Sequence, residues 1–178
     1  MVSESNKKMQ CLKYTMFETI WGWMAVAGSE SGVRFATLPE ETPLAAMVGL
    51  TRWLRCSSAS ERPELFDEFQ RQTVAYLAGE RRSLDVALDF EGAPPFFRQA
   101  WEACLSIPPG EIRSYGWLAA KAGRPAAVRA AGQAMARNWV PLAIPCHRVV
   151  ASDGSLHGFG GAGLGLKARL LELERSAT

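Results

Sequence analysis

Ser114-Tyr115-Gly116-Trp117-Leu118-Ala119-Ala120-Lys121-Ala122-Gly123-Arg124-Pro125, continued by Ala126-Ala127-Val128-Arg129-Ala130-Ala131-Gly132-Gln133-Ala134-Met135-Ala136-Arg137-Asn138, reads as two short helices joined by a tight turn. Ser114 is a good N-cap, because its hydroxyl can accept an amide proton that the first helical turn leaves unpaired. The first helix runs through Leu118 and Ala122, and Gly123 ends it. Pro125 starts the second, Ala126 to Ala136, which passes Val128 and Met135 toward Asn138. Two such helices joined by Gly-Arg-Pro make a helix-turn-helix candidate. Taken alone, the alanines of the second helix express helix propensity and tight packing.

Upstream, Phe97, Trp101, Cys104 and Leu105 share one face of a helix that ends before Pro108-Pro109-Gly110, which makes Cys104 a core residue. Downstream, the apolar run Leu142 to Val150 is interrupted by Pro145 and reads as a buried strand or turn bearing Cys146. A last helix carries Leu166, Leu170 and Leu173 at i, i+4 and i+7, with Glu172 and Glu174 beside them. The first half is patterned differently. Trp21, Trp23, Ala25 and Ala27 alternate before Gly28-Ser29-Glu30-Ser31-Gly32, and Val33, Phe35 and Thr37 alternate after it, predicting a β-hairpin. Pro63 opens a helix through Leu65, Phe66, Phe69, Thr73, Tyr76 and Leu77 that Gly79 stops, and this one helix closes the half. Leu84 to Leu88 is a short strand candidate, and Glu91-Gly92-Ala93-Pro94-Pro95 marks the domain boundary. The expected fold is α/β (α+β) in two domains. Residues 1–92 form a structural domain of hairpin or sheet plus helix, and residues 93–178 a mainly helical domain built on the helix-turn-helix.

The chain has 178 residues, 48% hydrophobic and 21% charged, which excludes overall disorder and allows a core without disulfides or a structural metal. The longest stretch without a formal charge, Gly154 to Leu166, is glycine-rich and shorter than the roughly 20 apolar residues of a membrane span. Residues 1–13 lack the apolar core of a signal peptide, so an intracellular, reducing compartment is expected. Cys11, Cys56, Cys104 and Cys146 form no CxxC pair, and the only histidines are His147 and His157, so neither a metal nor a cofactor is expected. The net charge of +2 is unevenly divided: residues 1–92 hold 10 basic and 13 acidic side chains, residues 93–178 hold 10 and 5. Arg113, Lys121, Arg124, Arg129, Arg137 and Arg148 lie on or beside the paired helices, an arrangement suited to phosphate contacts, although ordinary solvated residues give the same count.

Pro145-Cys146-His147-Arg148-Val149-Val150 places a nucleophile next to a proton acceptor in an apolar setting. A free thiol with pKa near 8.5 is only about a few per cent thiolate at neutral pH, so a nucleophile of this kind gains from a nearby base. A buried thiol beside a satisfied histidine is nonetheless the commoner meaning of an isolated Cys-His pair.

This hexapeptide resembles the active-site signature of the O6-alkylguanine-DNA alkyltransferases. The resemblance extends through Gly110-Glu111-Ile112-Arg113-Ser114-Tyr115-Gly116-Trp117-Leu118-Ala119, the Ala127-Val128-Arg129-Ala130-Ala131-Gly132 helix, Asn138, Lys167 and Leu170-Leu171-Glu172-Leu173-Glu174. It is looser in the first half, around Leu38-Pro39 and Tyr76-Leu77-Ala78-Gly79. It implies single-turnover transfer of the alkyl group of O6-alkylguanine, and of O4-alkylthymine, from duplex DNA to Cys146. By position, His147 would take the thiol proton through a water, Glu174 would orient and charge-stabilise the imidazole, and Asn138 would hold the turn. Tyr115 would donate to the departing guanine and help rotate the phosphate. The lesion lies inside the stack, so its nucleotide has to flip out. The small residues Ala127, Ala130 and Gly132 would let the second helix enter the minor groove, with Ser114 also on DNA and Arg129 filling the space of the flipped base. Val149, Trp139, Phe159, Gly160 and Gly161 would line the base pocket. The implied partner is double-stranded DNA containing O6-alkylguanine, bound by a monomer away from membranes. The implied location is cytoplasmic, at the nucleoid, in a bacterium, or nuclear in a eukaryote.

The loop departs from the family pattern, with Phe159 where tyrosine is usual, Gly160 where a small or hydroxyl residue often lies, and one extra residue before Lys167. Its formal GxGxxG lacks the strand context and the later acidic residue of a dinucleotide site. Two competitors remain on residue types alone: a hydrolase using Cys146, His147 and Asn138, and a module that binds the lesion without repairing it.

Overall fold

The computed structural model describes residues 11–55, 58–157 and 163–176. In the first half, β1 (Leu12–Thr19) runs antiparallel to β2 (Gly22–Ser29), which forms the expected hairpin with β3 (Gly32–Ala36). α1 (Pro43–Leu54) follows, then β4 (Ala59–Glu61), which adds parallel to β1 and completes a sheet of order β3-β2-β1-β4. A 3-10 turn at Pro63–Phe66 leads into α2 (Asp67–Leu77). β2 is buried on both faces: Ala25 and Ala27 pack with Ala46 and Leu50 of α1, while Met24 and Val26 face the main core with Phe66, Phe69 and Tyr76.

Two helices therefore occupy this half, against one expected. α1 carries ordinary start signals, since Thr42 Oγ1 accepts from the Ala45 N–H at 3.2 Å and Pro43 sits in the first turn. Its amphipathic pattern is blurred because Leu44 and Val48 are exposed and only Ala46 and Leu50 are fully covered. Leu84 to Leu88 is not a strand. It meets β3 at Val33 alone, whose N–H donates to Ala87 O at 2.9 Å and whose carbonyl accepts from Asp89 N–H at 2.8 Å; beyond that point the Asp89 carboxylate, bonded by Ser29 and Arg34, anchors the chain in place of a ladder.

The second half contains α3 (Pro95–Leu105), β5 (Arg113–Ser114), α4 (Tyr115–Lys121), α5 (Val128–Ala136), β6 (Val149–Val150) and α6 (Gly163–Ser176). α3 buries Trp101 and Cys104 as expected, but Leu105, one position further round the helix, is 40% exposed. Ser114 caps α4 by accepting from the Trp117 N–H at 3.1 Å. α2 and α4 both end in the glycine motif that returns two amides to the last turn: Glu80 N–H reaches Ala75 O, and Arg124 N–H reaches Ala119 O, each at 2.9 Å. α5 begins at Val128, not at Pro125, because the Ala127 N–H closes a separate turn onto Arg124 O at 2.9 Å and leaves Pro125 and Ala126 in the connection.

One hydrophobic cluster runs through both halves, from Phe17 and Val26 of the sheet to Trp101, Leu118, Ala131 and Ile144. Trp101 is fully buried and its indole N–H donates to Ala134 O at 2.9 Å, tying α3 to α5. The Ala36 N–H donates to Trp139 O at 2.8 Å, tying β3 to the segment after α5. Among the described residues no helix is long and apolar enough to cross a membrane.

Candidate active site

The segment from Val140 to Val150 is buried throughout, and its backbone turns sharply at Cys146. Pro145 (φ −79°, ψ 59°) centres an inverse γ-turn, with Cys146 N–H donating to Ile144 O at 2.7 Å. The Arg148 N–H then donates to Pro145 O at 2.9 Å and closes one 3-10 turn over Cys146–Arg148. Val149 and Val150 leave this turn as β6, pairing in parallel with Arg113 and Ser114 of β5. That pairing brings the start of α4, with Tyr115, to the cysteine turn. Leu142 is held at φ 72°, a left-handed conformation costing a β-carbon residue about 1 kcal/mol.

Asn138 secures the loop at two points. Its Oδ1 accepts from Val140 N–H at 3.0 Å, and its Nδ2 donates to Ile144 O at 2.9 Å and to Cys146 Sγ at 3.0 Å, so both amide hydrogens are engaged. Burial pushes the Cys146 thiol up, an effect only partly opposed by the Asn138 hydrogen bond and the Lys167 charge.

The His147 side chain is fully buried. Its Nε2 lies 2.7 Å from Glu174 Oε1, and its Nδ1 has no hydrogen-bond partner among the described residues. Burial alone would raise the Glu174 carboxyl, but hydrogen bonds from His147 and Arg148 more than offset this and hold it well below the usual carboxylate range. Glu174 is thus the acceptor, which puts the imidazole hydrogen on Nε2 and leaves the Nδ1 lone pair free. Burial also lowers the His147 pKa, so the ring is neutral at rest. Arg148 Nε and Nη2 reach Glu174 at 2.9 and 2.7 Å, and the Gly110 N–H reaches Oε2 at 3.1 Å from a backbone at φ +78° that favours glycine. Glu172, two residues earlier, is exposed and pairs with Arg175 at 3.8 Å.

The geometry speaks against the Cys/His/Asn hydrolase arrangement, in which the amide orients the histidine: here Asn138 bonds sulfur and a carboxylate orients the ring. Residues 95–176 match the family described as "6-O-methylguanine DNA methyltransferase, DNA binding domain". The methylated-DNA–protein-cysteine methyltransferase of Methanosarcina acetivorans is 39% identical over 163 residues, covering 92% of this chain and 98% of that one. The constitutive enzyme of that name from Bacillus subtilis is 38% identical, covering 91% and 94%. The chain belongs to the methylated-DNA–protein-cysteine methyltransferase family.

Solved methyltransferases share the fold. The crystal structure of Mycobacterium tuberculosis OGT in complex with DNA superposes with a TM-score of 0.77 at 36% identity, covering 93% of this chain and 94% of that one. That of the Pyrococcus kodakaraensis O6-methylguanine-DNA methyltransferase gives 0.64 at 26% identity, covering 92% and 98%.

The remaining site residues are distributed as follows in this methyltransferase. Tyr115 OH donates to His157 O at 3.3 Å, and burial raises its pKa. α5 turns Ala131, Ala134 and Met135 inward and leaves Arg129 exposed, with Ala127, Ala130 and Gly132 half-buried. Val149 is fully buried in β6. Trp139 packs between Trp53 and Trp101, with ring centroids 6.1 and 5.2 Å away. Phe159, Gly160 and Gly161 lie outside the described residues. A cavity of about 780 Å3 reaches Cys146, bounded by Asn138, Pro141 and Leu166, by Met135 and Ala136 at the end of α5, and by Thr37 to Thr42.

Of the six basic residues on or beside the paired helices, Arg148 is open to neither phosphate nor solvent: it is 3% exposed and held by Glu174, Ile107 O and Arg82 O. Arg113 is engaged by Glu111 at 2.5 Å. The sequence reading also missed three residues at the site. Tyr76 OH donates to Glu174 Oε1 at 2.7 Å, Arg82 Nη2 donates to Glu174 O at 2.7 Å, and the fully buried Lys167 donates to Val149 O at 2.6 Å and His157 O at 3.1 Å. Tyr76 and Lys167 carried a signal in the sequence only as members of the stretches that resemble the family, and Arg82 carried none. Among the described residues no group of three or more His, Cys, Asp or Glu side chains is placed to hold a metal ion.

Proposed function

We propose that the protein removes the alkyl group from O6-alkylguanine, and from O4-alkylthymine, in duplex DNA by transferring it once to Cys146 Sγ. The chain is a methylated-DNA–protein-cysteine methyltransferase, an enzyme of DNA repair, and its partner is alkylated DNA. The observation that carries the residue assignment is a buried thiol bonded by Asn138, beside a neutral imidazole whose Nδ1 lone pair is free and whose Nε2–H is held by an ionised carboxylate.

At rest the raised thiol and lowered imidazole favour the neutral pair. As substrate approaches, the thiol proton passes through a water to His147 Nδ1, and Glu174 stabilises the imidazolium that forms. Sγ attacks the alkyl carbon in line, the carbon–O6 bond breaks, and its electron pair leaves with the guanine. Tyr115, protonated because burial raises its pKa, donates to the departing base. The thioether is stable, so each molecule acts once.

Reaching O6 requires the nucleotide to leave the stack, and α5 is the element suited to insert. Gly132 supports this role. A β-carbon there would meet nothing within 4 Å, so no packing inside the protein requires glycine, although glycine within a helix costs about 0.5 to 1 kcal/mol relative to alanine. We assign DNA binding and alkyl acceptance to residues 93–178 and structural support to residues 1–92. Intact-mass analysis after mixing with duplex containing O6-methylguanine should show one added methyl, mapped to the Cys146 peptide. Cys146→Ala should show none while still binding DNA, which also separates transfer from lesion binding. Methylation of that variant, or turnover of an ester or peptide by the native protein, would overturn the assignment.

A further inference from the structure

Every residue in the mechanism above lies in the second half of the chain, yet the Glu174 carboxylate is also reached from the first. Tyr76, fully buried on α2, donates its phenol hydrogen to Glu174 Oε1 at 2.7 Å, and its oxygen lies 3.3 Å from His147 Nε2. A phenol has one proton. Since Glu174 takes it, the Tyr76 oxygen presents lone pairs to Nε2–H, and the imidazole hydrogen is flanked by Oε1 and by the phenol oxygen. Three buried groups thus close a triangle with one consistent set of protons. Burial and the neighbouring Glu174 charge push the Tyr76 pKa up, so the phenol remains a donor.

We infer that Tyr76 is a positioning residue for alkyl transfer, fixing the orientation and Nε2–H tautomer of His147 through Glu174 and making the amino-terminal half part of the catalytic apparatus. The inference rests on Cys146 and His147 acting as proposed. The same stretch of chain also grips the backbone behind Glu174: Arg82 Nη2 donates to Glu174 O at 2.7 Å, and Arg82 O accepts from Arg148 Nη2 at 3.1 Å. The titratable and charged groups around His147 are Tyr76 and Arg82 from the first half, Cys104 of α3, Cys146 and Arg148 of the turn, and Lys167 and Glu174 of α6. Arg148 and Lys167 lower the His147 pKa and Glu174 raises it. Tyr76 draws on the same Oε1 that accepts from Nε2–H. Removing the phenol leaves more of the carboxylate charge to the imidazole and takes away one of the two oxygens that flank Nε2–H.

Tyr76→Phe keeps the ring and removes only the hydroxyl. Its single-turnover rate on duplex O6-methylguanine is expected to fall about tenfold, in line with the loss of one hydrogen bond to a charged group, with unchanged DNA affinity and an upward-shifted pKa in the pH–rate profile. Should that variant not fold, 3-fluorotyrosine placed at position 76 keeps the shape while strengthening the donor, and the profile shifts down. A rate and pH profile equal to native in the folded variant overturns the inference. Native protein that gains no methyl group defeats the proposed function instead, so the two failures are distinguishable.

Discussion

A carboxylate with 1% of its surface exposed would ordinarily hold a proton, and Glu174 is kept ionised by His147, Arg148, Tyr76 and the Gly110 amide. Removing one member of a buried charged pair leaves the other unpaired, so Glu174→Gln is expected to destabilise the fold by about 3 kcal/mol and to slow transfer, measured by urea unfolding and single-turnover kinetics. The pH dependence follows from the two lowered groups. Glu174 is held below its ordinary 4.5, so its stabilisation is complete above about 4.5 and is lost as pH falls toward the folded value. The His147 pKa is lowered from 6.5 by burial, so below about 6.5 the unfolded chain binds a proton that the folded ring resists. Both have the same sign, and unfolding free energy should decline steadily from about pH 7 to about pH 4. A flat profile over that range would contradict the buried neutral histidine.

α5 is stabilised by the residues it buries, while of those assigned to DNA it leaves Arg129 exposed and Ala130 and Gly132 half-buried. Gly132→Ala should raise stability by about 0.5 to 1 kcal/mol, because it removes a flexible residue from a helix without a clash, while weakening duplex binding and slowing transfer. Those opposite signs separate a glycine kept for an outside partner from one kept for packing; a variant more stable and equally active would refute the role of α5 as the inserted helix. Arg129→Ala should weaken duplex binding and reduce the slope of log affinity against log salt by about one. Filter binding or anisotropy at several salt concentrations measures both.

The hydrophobic cluster common to both halves joins Trp139 to Trp101 of α3, and Trp139 also meets Trp53 of α1 from the smaller cluster on the other face of the sheet. Such continuity favours one cooperative unfolding transition. Tryptophan fluorescence and far-ultraviolet dichroism should report coincident midpoints, and an early separate transition would show that the first half unfolds by itself. The residues assigned to catalysis depend on this packing. α2 brings Tyr76, and α6 brings Glu174, to a turn more than 25 residues distant from either.

What the chain determined locally was legible in order: the hairpin around Gly28 to Gly32, the Ser114 cap, and the Gly79 and Gly123 stops. Each depends on neighbours within a few residues, where turn geometry and helical spacing act directly. The span of α1 was obscured because only Ala46 and Leu50 of the helix are fully buried while Leu44 and Val48 are exposed. Leu84 to Leu88 had strand composition, but pairing requires a partner edge, and only Val33 was offered. Arg148 read as a surface cation, suited to phosphate or to solvent, because charge is visible in sequence and burial is not. Tyr76, Arg82 and the tautomer of His147 were decided only by tertiary structure, since a hydrogen bond across 71 or 98 residues depends on how helices dock and leaves no periodic trace in the chain.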